Sequence, residues 1–391
     1  MESATNKKIR LAYISSINAR WVHLEWVADE LDRERFEPSF VLVSIAEHPP
    51  HLETFLQERG FPYHRIDCKL QPFSIARTVF EIARYCRREK IEIVHCHIFF
   101  ASLVGLLGAL LARVPVRVTT RHHATMNHGT SFYWLDRLTN WMATHVVASC
   151  DLVRKILIDD ERTPERKVEL IHLGLDLAGF THPETERVDR LMGKYSTDEH
   201  SPVIGVVARH IELKGIQYIV PAFERLLDKY PSSYLMLFYA SGPYRETIEG
   251  LLESIPEERY IMVEFEPDLF ALYHLFDLYV HVPIGPDQES FGLTFIEALA
   301  AGVPSIFTRS GVGPEFLIHR ENAWLVDYES SDQIYQGMLA LLGDEELREE
   351  LVKSGIESVR RFDYRRMVRE LENFYLRNVR RRVPQDVLSR S

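Results

Sequence analysis

Short runs of β-branched and apolar residues alternate with longer runs of helical periodicity along almost the whole chain. IRLAYIS is followed by WVHLEWVADELDR, SFVLVSI by HLETFLQERG, and IARTVFEIARYCRREK by IEIVHCH and then VRVTT. Strand, helix, strand in this order requires crossover connections, so the strands run parallel and helices cover both faces of the sheet. The rhythm stops over residues 181–202, THPETERVDRLMGKYSTDEHSP, which is polar, charged and bracketed by prolines. That composition reads as an interdomain linker. A second series follows in VIGVVAR, GIQYIVPAFERLLDKY, YLMLFYAS, YRETIEGLLESI, YIMVEF, DLFALYHLF, DLYVHVP and PSIFT. A chain of 391 residues exceeds what one core usually supports. The expectation is an α/β protein of two Rossmann-like, doubly wound parallel-sheet domains, residues 1–185 and 200–364. Ligands of such sheets sit beyond the carboxyl ends of the strands.

Composition removes several function classes. A formal net charge of −11 argues against nucleic acid as a partner, because a phosphate backbone is held by surplus Lys and Arg. The N-terminus MESATNKKIRLAYISS lacks the basic and apolar blocks of a signal peptide, and the apolar run Ile98–Ala112 is shorter than the roughly 18 residues of a membrane span. Four cysteines without a CxxC pair suit reduced thiols, so a cytoplasmic location is expected. Neither GxGxxG after the first strand nor GxxxxGK[ST] is present, which disfavours dinucleotide oxidoreductases and P-loop NTPases.

Four stretches concentrate chemistry. In QESFGLTFIEALAAGVP the apolar spacing predicts a short helix beginning near Ser290 and closed by Gly302 and Pro304. Its first amides, around Phe291, Gly292, Leu293 and Thr294, form a seat for phosphate. Glu289 precedes that seat. Glu297 lies two turns along among apolar neighbours, where a carboxylate needs a partner such as a pair of bound hydroxyls. In VIGVVARHIELKG, Arg209 at a strand end and Lys214 at the next helix start suit a diphosphate. In YASGPYRE, a sharp turn at Gly242 ends another strand. The fourth group is histidine: His95 and His97 share one strand face, and His122 and His123 follow the strand VRVTT. A metal site there lacks further ligands at useful spacing, and no Asp-x-Asp pair exists to chelate a cation.

Together these residues resemble the retaining glycosyltransferases of family 4, whose fold is GT-B. The resemblance rests on Glu289 and Glu297 in ESFGLTFIEALAAGVP, Arg209 and Lys214 in ARHIELKG, then ASGP, VEF and GVGPEFLIHRENAWLV, in order across roughly residues 203–330. The first half is similar through IVHCHIFFASLVG, VTTRHH, SCDLVRKIL and IHLGLDLAGF. The resemblance implies that two domains face a cleft and that the C-terminal one binds a nucleotide-diphosphate sugar. Glu297 would hold the ribose hydroxyls, Glu289 hydroxyls of the donor sugar, and Arg209 and Lys214 the diphosphate with the amides of Phe291, Gly292 and Leu293. Ser290, Thr294, Gly242 and Phe265 would complete the donor side. His122, or His123 in its place, would face the sugar, and Asn18 and His97 would lie on the acceptor side.

Two departures stand out: ISSINARWVHLEW replaces a Gly-rich first loop, and Ala240 stands where a Gly is common. The implied activity is a retaining, metal-independent transfer of a hexosyl group to a hydroxyl of a glycan, lipid-linked glycan or small molecule of cell-surface polysaccharide synthesis, with no cofactor. A nucleotide-sugar epimerase or phosphorylase of the same fold, or a non-catalytic nucleotide-sugar-binding protein, are the alternatives. The segment Val359–Ser391, with ten Arg against four acids, predicts a basic amphipathic helix. From about residue 365 it either packs back on the first domain or brings Arg377, Arg380, Arg381 and Arg382 to an anionic membrane at the inner face of the cell.

Overall fold

The computed structural model describes residues 7–16, 22–45, 49–123 and 130–380, and divides into two compact units. Unit 1 comprises residues 1–174 and 364–391, and unit 2 residues 175–363.

In unit 1 the strands β1 (Ile9–Ser15), β2 (Phe36–Ser44), β3 (Tyr63–Asp67), β4 (Ile93–His97), β5 (Val116–Arg121), β6 (His145–Ala148) and β7 (Val168–Leu170) form one parallel sheet in the order 3-2-1-4-5-6-7. Right-handed crossovers place the connecting helices α1 (Val22–Glu30) and α2 (His51–Glu58) on one face. The same rule places α3 (Pro72–Arg88), α4 (Phe99–Leu111) and α5 (Thr130–Met142) on the other, and α6 (Asp151–Lys155) joins the last two strands. β4 is buried throughout, as a strand covered on both sides must be.

Unit 2 begins with α7 (Leu177–Thr181) and α8 (Thr185–Tyr195). Its sheet holds β8 (Val203–Val207), β9 (Tyr234–Phe238), β10 (Tyr260–Val263), β11 (Leu278–His281), β12 (Ser305–Phe307) and β13 (Trp324–Leu325), all parallel, in the order 10-9-8-11-12-13. The helices α9 (Ile216–Leu227), α10 (Arg245–Leu252), α11 (Leu269–Leu272) and α12 (Leu293–Ala300) alternate with the first five of these strands, and α13 (Ser331–Gly343) and α14 (Glu345–Val359) follow β13. Ile219, Val220, Phe223, Leu235, Leu237, Val280, Ile306, Met338 and Leu341 share its core.

Residues 181–202 are folded rather than a free linker. α8 buries Leu191 and Tyr195, and Lys194 Nζ and Tyr195 OH each donate to Glu266 Oε2 at 2.7 Å. Arg187 Nε and Arg190 Nη2 reach Asp268 Oδ2 at 2.9 and 3.0 Å. The charges that read as linker polarity are ion pairs with a loop more than 70 residues downstream, which composition alone does not distinguish from solvated charge. Along the chain, unit 2 accordingly begins at Leu175 rather than between 185 and 200.

α15 (Tyr364–Arg380) belongs to unit 1. Its apolar face, Met367, Val368, Leu371, Phe374 and Tyr375, enters the core formed with Leu11, Tyr13, Phe36, Phe40 and Ile93. Arg377 pairs with Glu169. Arg381 and Arg382 lie outside the described residues. Among the described residues no helix is long and apolar enough to cross a membrane.

The hydroxyl of Tyr375 anchors this packing. It lies 2.5 Å from His95 Nδ1 and 3.2 Å from Tyr13 OH, all three groups being buried. Burial pushes the Tyr375 phenol well up and the His95 imidazole down to about 3, so the network is neutral. Tyr375→Phe keeps the ring and strands two buried polar groups, so it should lower stability by about 1–3 kcal/mol. A urea unfolding midpoint unchanged from the parent would contradict that role.

Candidate active-site residues

In unit 2 the parallel sheet brings three strand ends to one edge. β8 is buried to Val207, after which Arg209 is exposed. Gly215 opens α9 at φ +72°, where a Cβ would stand 2.0 Å from Val282 O, so only glycine permits this approach to the end of β11. The approach delivers Lys214 to Glu289, and the two form an ion pair. His281, the last residue of β11, places Nε2 2.8 Å from the same Glu289 oxygen. From behind, the Glu289 amide donates to Ser310 Oγ at 3.1 Å and Val312 N donates to Phe291 O at 2.9 Å. Gly311, at φ +57°, would place a Cβ 2.6 Å from Phe291 O. The loop before α12 is therefore held on both sides.

The two glutamates have opposite electrostatics. Burial alone would raise Glu289, but the hydrogen bond from His281 and the ion pair with Lys214 outweigh it and lower its pKa to about 2. Burial likewise keeps the His281 imidazole below its ordinary value, so Nε2–H serves as donor to an ionised Glu289. Glu297 is 7% exposed within α12 and accepts from Tyr273 OH at 2.7 Å. Burial raises its pKa to about 7 against that single hydrogen bond.

α12 starts at Leu293 rather than near Ser290, because Gly292 at φ +90° is the N-cap and interrupts the helical backbone. A Cβ on Gly292 would lie 2.5 Å from the Phe295 ring. Leu293 and Thr294 thus open the helix, Ser290 is in the held loop, and Phe291 is buried edge-on to Phe362. Gly242 has φ +138° and approaches His210 O. Phe265 is 64% exposed after β10, with its ring 5.9 Å from that of Tyr239.

Tyr239, His281, Tyr273 and Ser310 were not apparent from the sequence. Tyr239 holds φ +60°, rare for a side chain of its size, and its phenol is raised by burial and by the nearby Glu297 and Glu266. His281 carried one usable signal, a polar residue closing an otherwise apolar strand. The others carried none.

In unit 1 the alternation of side chains along β5 separates the two histidines. Thr120 and His122 turn to the face of β4: Thr120 Oγ1 is 2.7 Å from His95 Nε2, and His122 Nε2 is 3.1 Å from His97 Nδ1. His95 and His97 stack at 4.2 Å. Arg121 and His123 turn the other way. Arg121, 5% exposed, donates to Glu161 at 2.6 and 2.9 Å, to Asn140 at 3.2 Å, and lies 3.1 Å from Asp136, which also meets His123 Nε2 at 3.3 Å. This buried network was also invisible in sequence, since its members span 40 residues.

Burial, with His23, His95 and His123 nearby, lowers His122 to about 3, and His97 is likewise well below its ordinary value. A cavity of roughly 330 Å³ at this sheet end is lined by Ser102, Thr119, Thr120, His122, His123, Asp136 and Thr139, among others. Among the described residues no group of three or more His, Cys, Asp or Glu is arranged to hold a metal. Asn18 lies outside the described residues.

Comparisons with known proteins bear on both units. A family model described as Glycosyltransferase Family 4 matches residues 21–178, and one described as Glycosyl transferases group 1 matches residues 188–358. The chain belongs to the family 4 glycosyltransferases. The enzyme is 25% identical over 337 residues to a D-inositol 3-phosphate glycosyltransferase of Corynebacterium glutamicum, covering 80% of this chain and 79% of that one. It is 24% identical over 322 residues to the capsular polysaccharide biosynthesis glycosyltransferase CapM of Staphylococcus aureus, covering 78% and 81%. Its fold matches that of Anabaena HepE, solved with UDP, at a TM-score of 0.79 and 17% identity, over 94% of this chain and all of that one. The glycosyltransferase therefore has the GT-B fold.

The two glutamates contribute to the pH dependence of stability with opposite sign. Glu289, lowered on folding, adds stability above its ordinary pKa of 4.5 that is lost as pH falls towards 2. Glu297, raised on folding, favours the native state below 4.5 and loses that advantage as pH rises to about 7. Glu297→Gln keeps the acceptor for Tyr273 without the titration. It should match the parent near pH 4 and exceed it by about 3 kcal/mol at pH 8. Parallel stability curves for the two proteins from pH 4 to 8 would refute this assignment.

Proposed function

We propose that this glycosyltransferase moves a sugar from a nucleotide-diphosphate sugar to an acceptor hydroxyl with retention at the anomeric carbon and without a metal ion. The observation that carries the reading is the Lys214–Glu289–His281 cluster, which joins two motifs 75 residues apart at one sheet end. Lys214 and the exposed Arg209 take the diphosphate, and the amides at Leu293 and Thr294 add partial positive charge. Glu289 takes donor-sugar hydroxyls. Glu297 takes the ribose hydroxyls, with the base beside Tyr239 and Phe265. The leaving diphosphate accepts the acceptor's proton as its glycosidic bond breaks and the new one forms on the same face of the sugar.

In unit 1 both histidines have partners, His122 the neutral His97 and His123 the Arg121–Asp136 ion pair, and we assign the sugar-facing role to His122, whose partner carries no charge. A neutral His122 hydrogen-bonds without adding charge beside an electron-poor anomeric carbon. The hydroxyl-rich lining of the unit 1 cavity suits a polyol acceptor, as do the names of the inositol phosphate and capsular polysaccharide relatives. No observation favours the epimerase, phosphorylase or binding-protein readings over transfer.

The Anabaena complex makes UDP the first nucleotide to test. Lys214→Ala and Arg209→Ala should each weaken UDP binding at least about tenfold, the loss of one charge-assisted contact. Unaltered affinity in both variants would remove the diphosphate assignment. Transfer should persist in EDTA, and NMR of the product should show the donor's anomeric configuration. Abolition by EDTA with rescue by Mn²⁺ would overturn the metal-free reading.

Ribose hydroxyls donate to an ionised Glu297, so donor affinity should climb by up to about tenfold per pH unit below pH 7 and level off above it. A nucleotide sugar is the probe, since its diphosphate does not titrate in this range. In Glu297→Gln the affinity should be weaker and flat with pH. A slope retained in that variant would mean that another group titrates.

A further inference from the structure

The outward face of the α3–α4–α5 layer in unit 1 carries large apolar side chains that the fold does not use. Phe73 is 84% exposed and Phe80 68% on α3, while Trp134 is 63% and Trp141 69% exposed on α5. Leu107 and Leu111 of α4 are exposed between them. These are not misplaced core residues. α3 already buries Val79, Ile82, Ala83 and Cys86 on its inner side, and a Cβ on Gly108 of α4 would lie 2.7 Å from Ile82, so the two helices pack closely. The right-handed crossovers that set α3, α4 and α5 side by side leave these apolar tips on one surface.

Arginines interleave with them in the same register. Along α3, Phe73, Arg77, Phe80, Arg84 and Arg87 recur at intervals of four and three, and all are exposed. The helix holds four arginines against one glutamate in a chain of net charge −11. On α5, Arg137 sits 5.2 Å over the Trp134 ring, between the two exposed tryptophans. Arg87 meets the Leu111 carbonyl, tying the basic row of α3 to the end of α4. Phe73, Arg77, Phe80, Arg84 and Arg88 line a groove of roughly 690 Å³ with His64 and Glu81; Glu81 lies 3.9 Å from Arg77 and Glu89 2.6 Å from Arg88, so arginines still outnumber acids along the row.

We infer that this face docks on an anionic phospholipid bilayer, with Phe73, Phe80, Trp134 and Trp141 entering the headgroup boundary and Arg77, Arg84 and Arg88 meeting lipid phosphate. Exposed Phe tips alternating with Arg along α3, with exposed Trp beside Arg137 on α5, match the mix of aromatic and basic groups that seats a protein at a membrane interface. The guanidinium fork matches phosphate oxygens. Because the chain as a whole is acidic, an anionic surface attracts it only through a locally basic face. A second copy is a poor occupant, since a two-fold pairing sets the same arginine rows against each other. α15 is a poorer membrane element than this face, because its apolar side is already inside unit 1.

Co-sedimentation of the full chain with phosphatidylcholine vesicles, with and without phosphatidylglycerol, tests the inference. Pelleting should require the anionic lipid and weaken at high salt. Phe73→Ser with Phe80→Ser should lower partitioning by about tenfold or more, and so should Arg77→Gln with Arg84→Gln and Arg88→Gln. All these positions are exposed, so unchanged circular dichroism should show that the variants fold. Tryptophan emission should shift to the blue with anionic vesicles, and the shift should vanish in Trp134→Phe with Trp141→Phe. Pelleting that survives both sets of substitutions, or that is lost only when Arg381 and Arg382 become Gln, would overturn the assignment. So would absence of binding, or a change of oligomeric mass in the Phe variants, which would make the face a contact between copies.

Discussion

A parallel sheet covered by helices on both faces has no room for unsatisfied polar groups, so a polar side chain within it must find a partner and most polar chemistry waits for the strand ends. That constraint shapes both units. β4 is buried along its length, and its polar members, His95 and His97, meet partners from β5 and α15. β8 is apolar to Val207 and reaches its cation only at Arg209, while β11 reaches His281 at its last residue. Polar chemistry therefore collects at the carboxyl ends, where backbone turns such as Gly215 and Gly292 let one loop approach another.

Two carboxylates eight positions apart acquire different chemistry from their surroundings. Glu289 faces a lysine and an imidazole N–H and stays ionised far below neutrality. Glu297, inside an apolar helix with one phenol as partner, holds its proton to about pH 7. In the proposed donor site the first would exchange partners with a ligand without changing charge. The second would change charge when ribose hydroxyls donate to it, which would couple binding to proton release. Spacing in the chain did not distinguish them, whereas burial and partners did.

The return of α15 shows the same economy in unit 1. A helix from the far end of the chain fills the face of the first sheet, and the Tyr375 hydroxyl completes a buried, uncharged network with Tyr13 and His95. The basic and amphipathic character of that segment reflects a helix with one face in the core and arginines such as Arg377 paired at the rim. The opposite face of the same sheet is finished differently, with an inner apolar side and an outer row of Phe, Trp and Arg.

Periodicity alone determined the two parallel α/β series, because alternation at two and at 3.6 residues reports backbone geometry locally. The placing of Arg209, Lys214 and Glu289 in loops after strands was equally legible, since glycines and charges mark where an apolar strand gives way to a turn. Long-range pairing was not legible. The clamp of α8 by Glu266 and Asp268 made a folded helix of what composition presented as a linker, and the start of α12 moved to Leu293 because Gly292 adopts a positive φ. The Arg121, Asp136 and Glu161 network, the stacking of His95 on His97, and the opposite facing of His122 and His123 arise where strand register and crossover handedness set residues from different elements together. A single chain position carries no record of its spatial neighbour, so those contacts, and the charge states they impose, belonged to the tertiary structure alone.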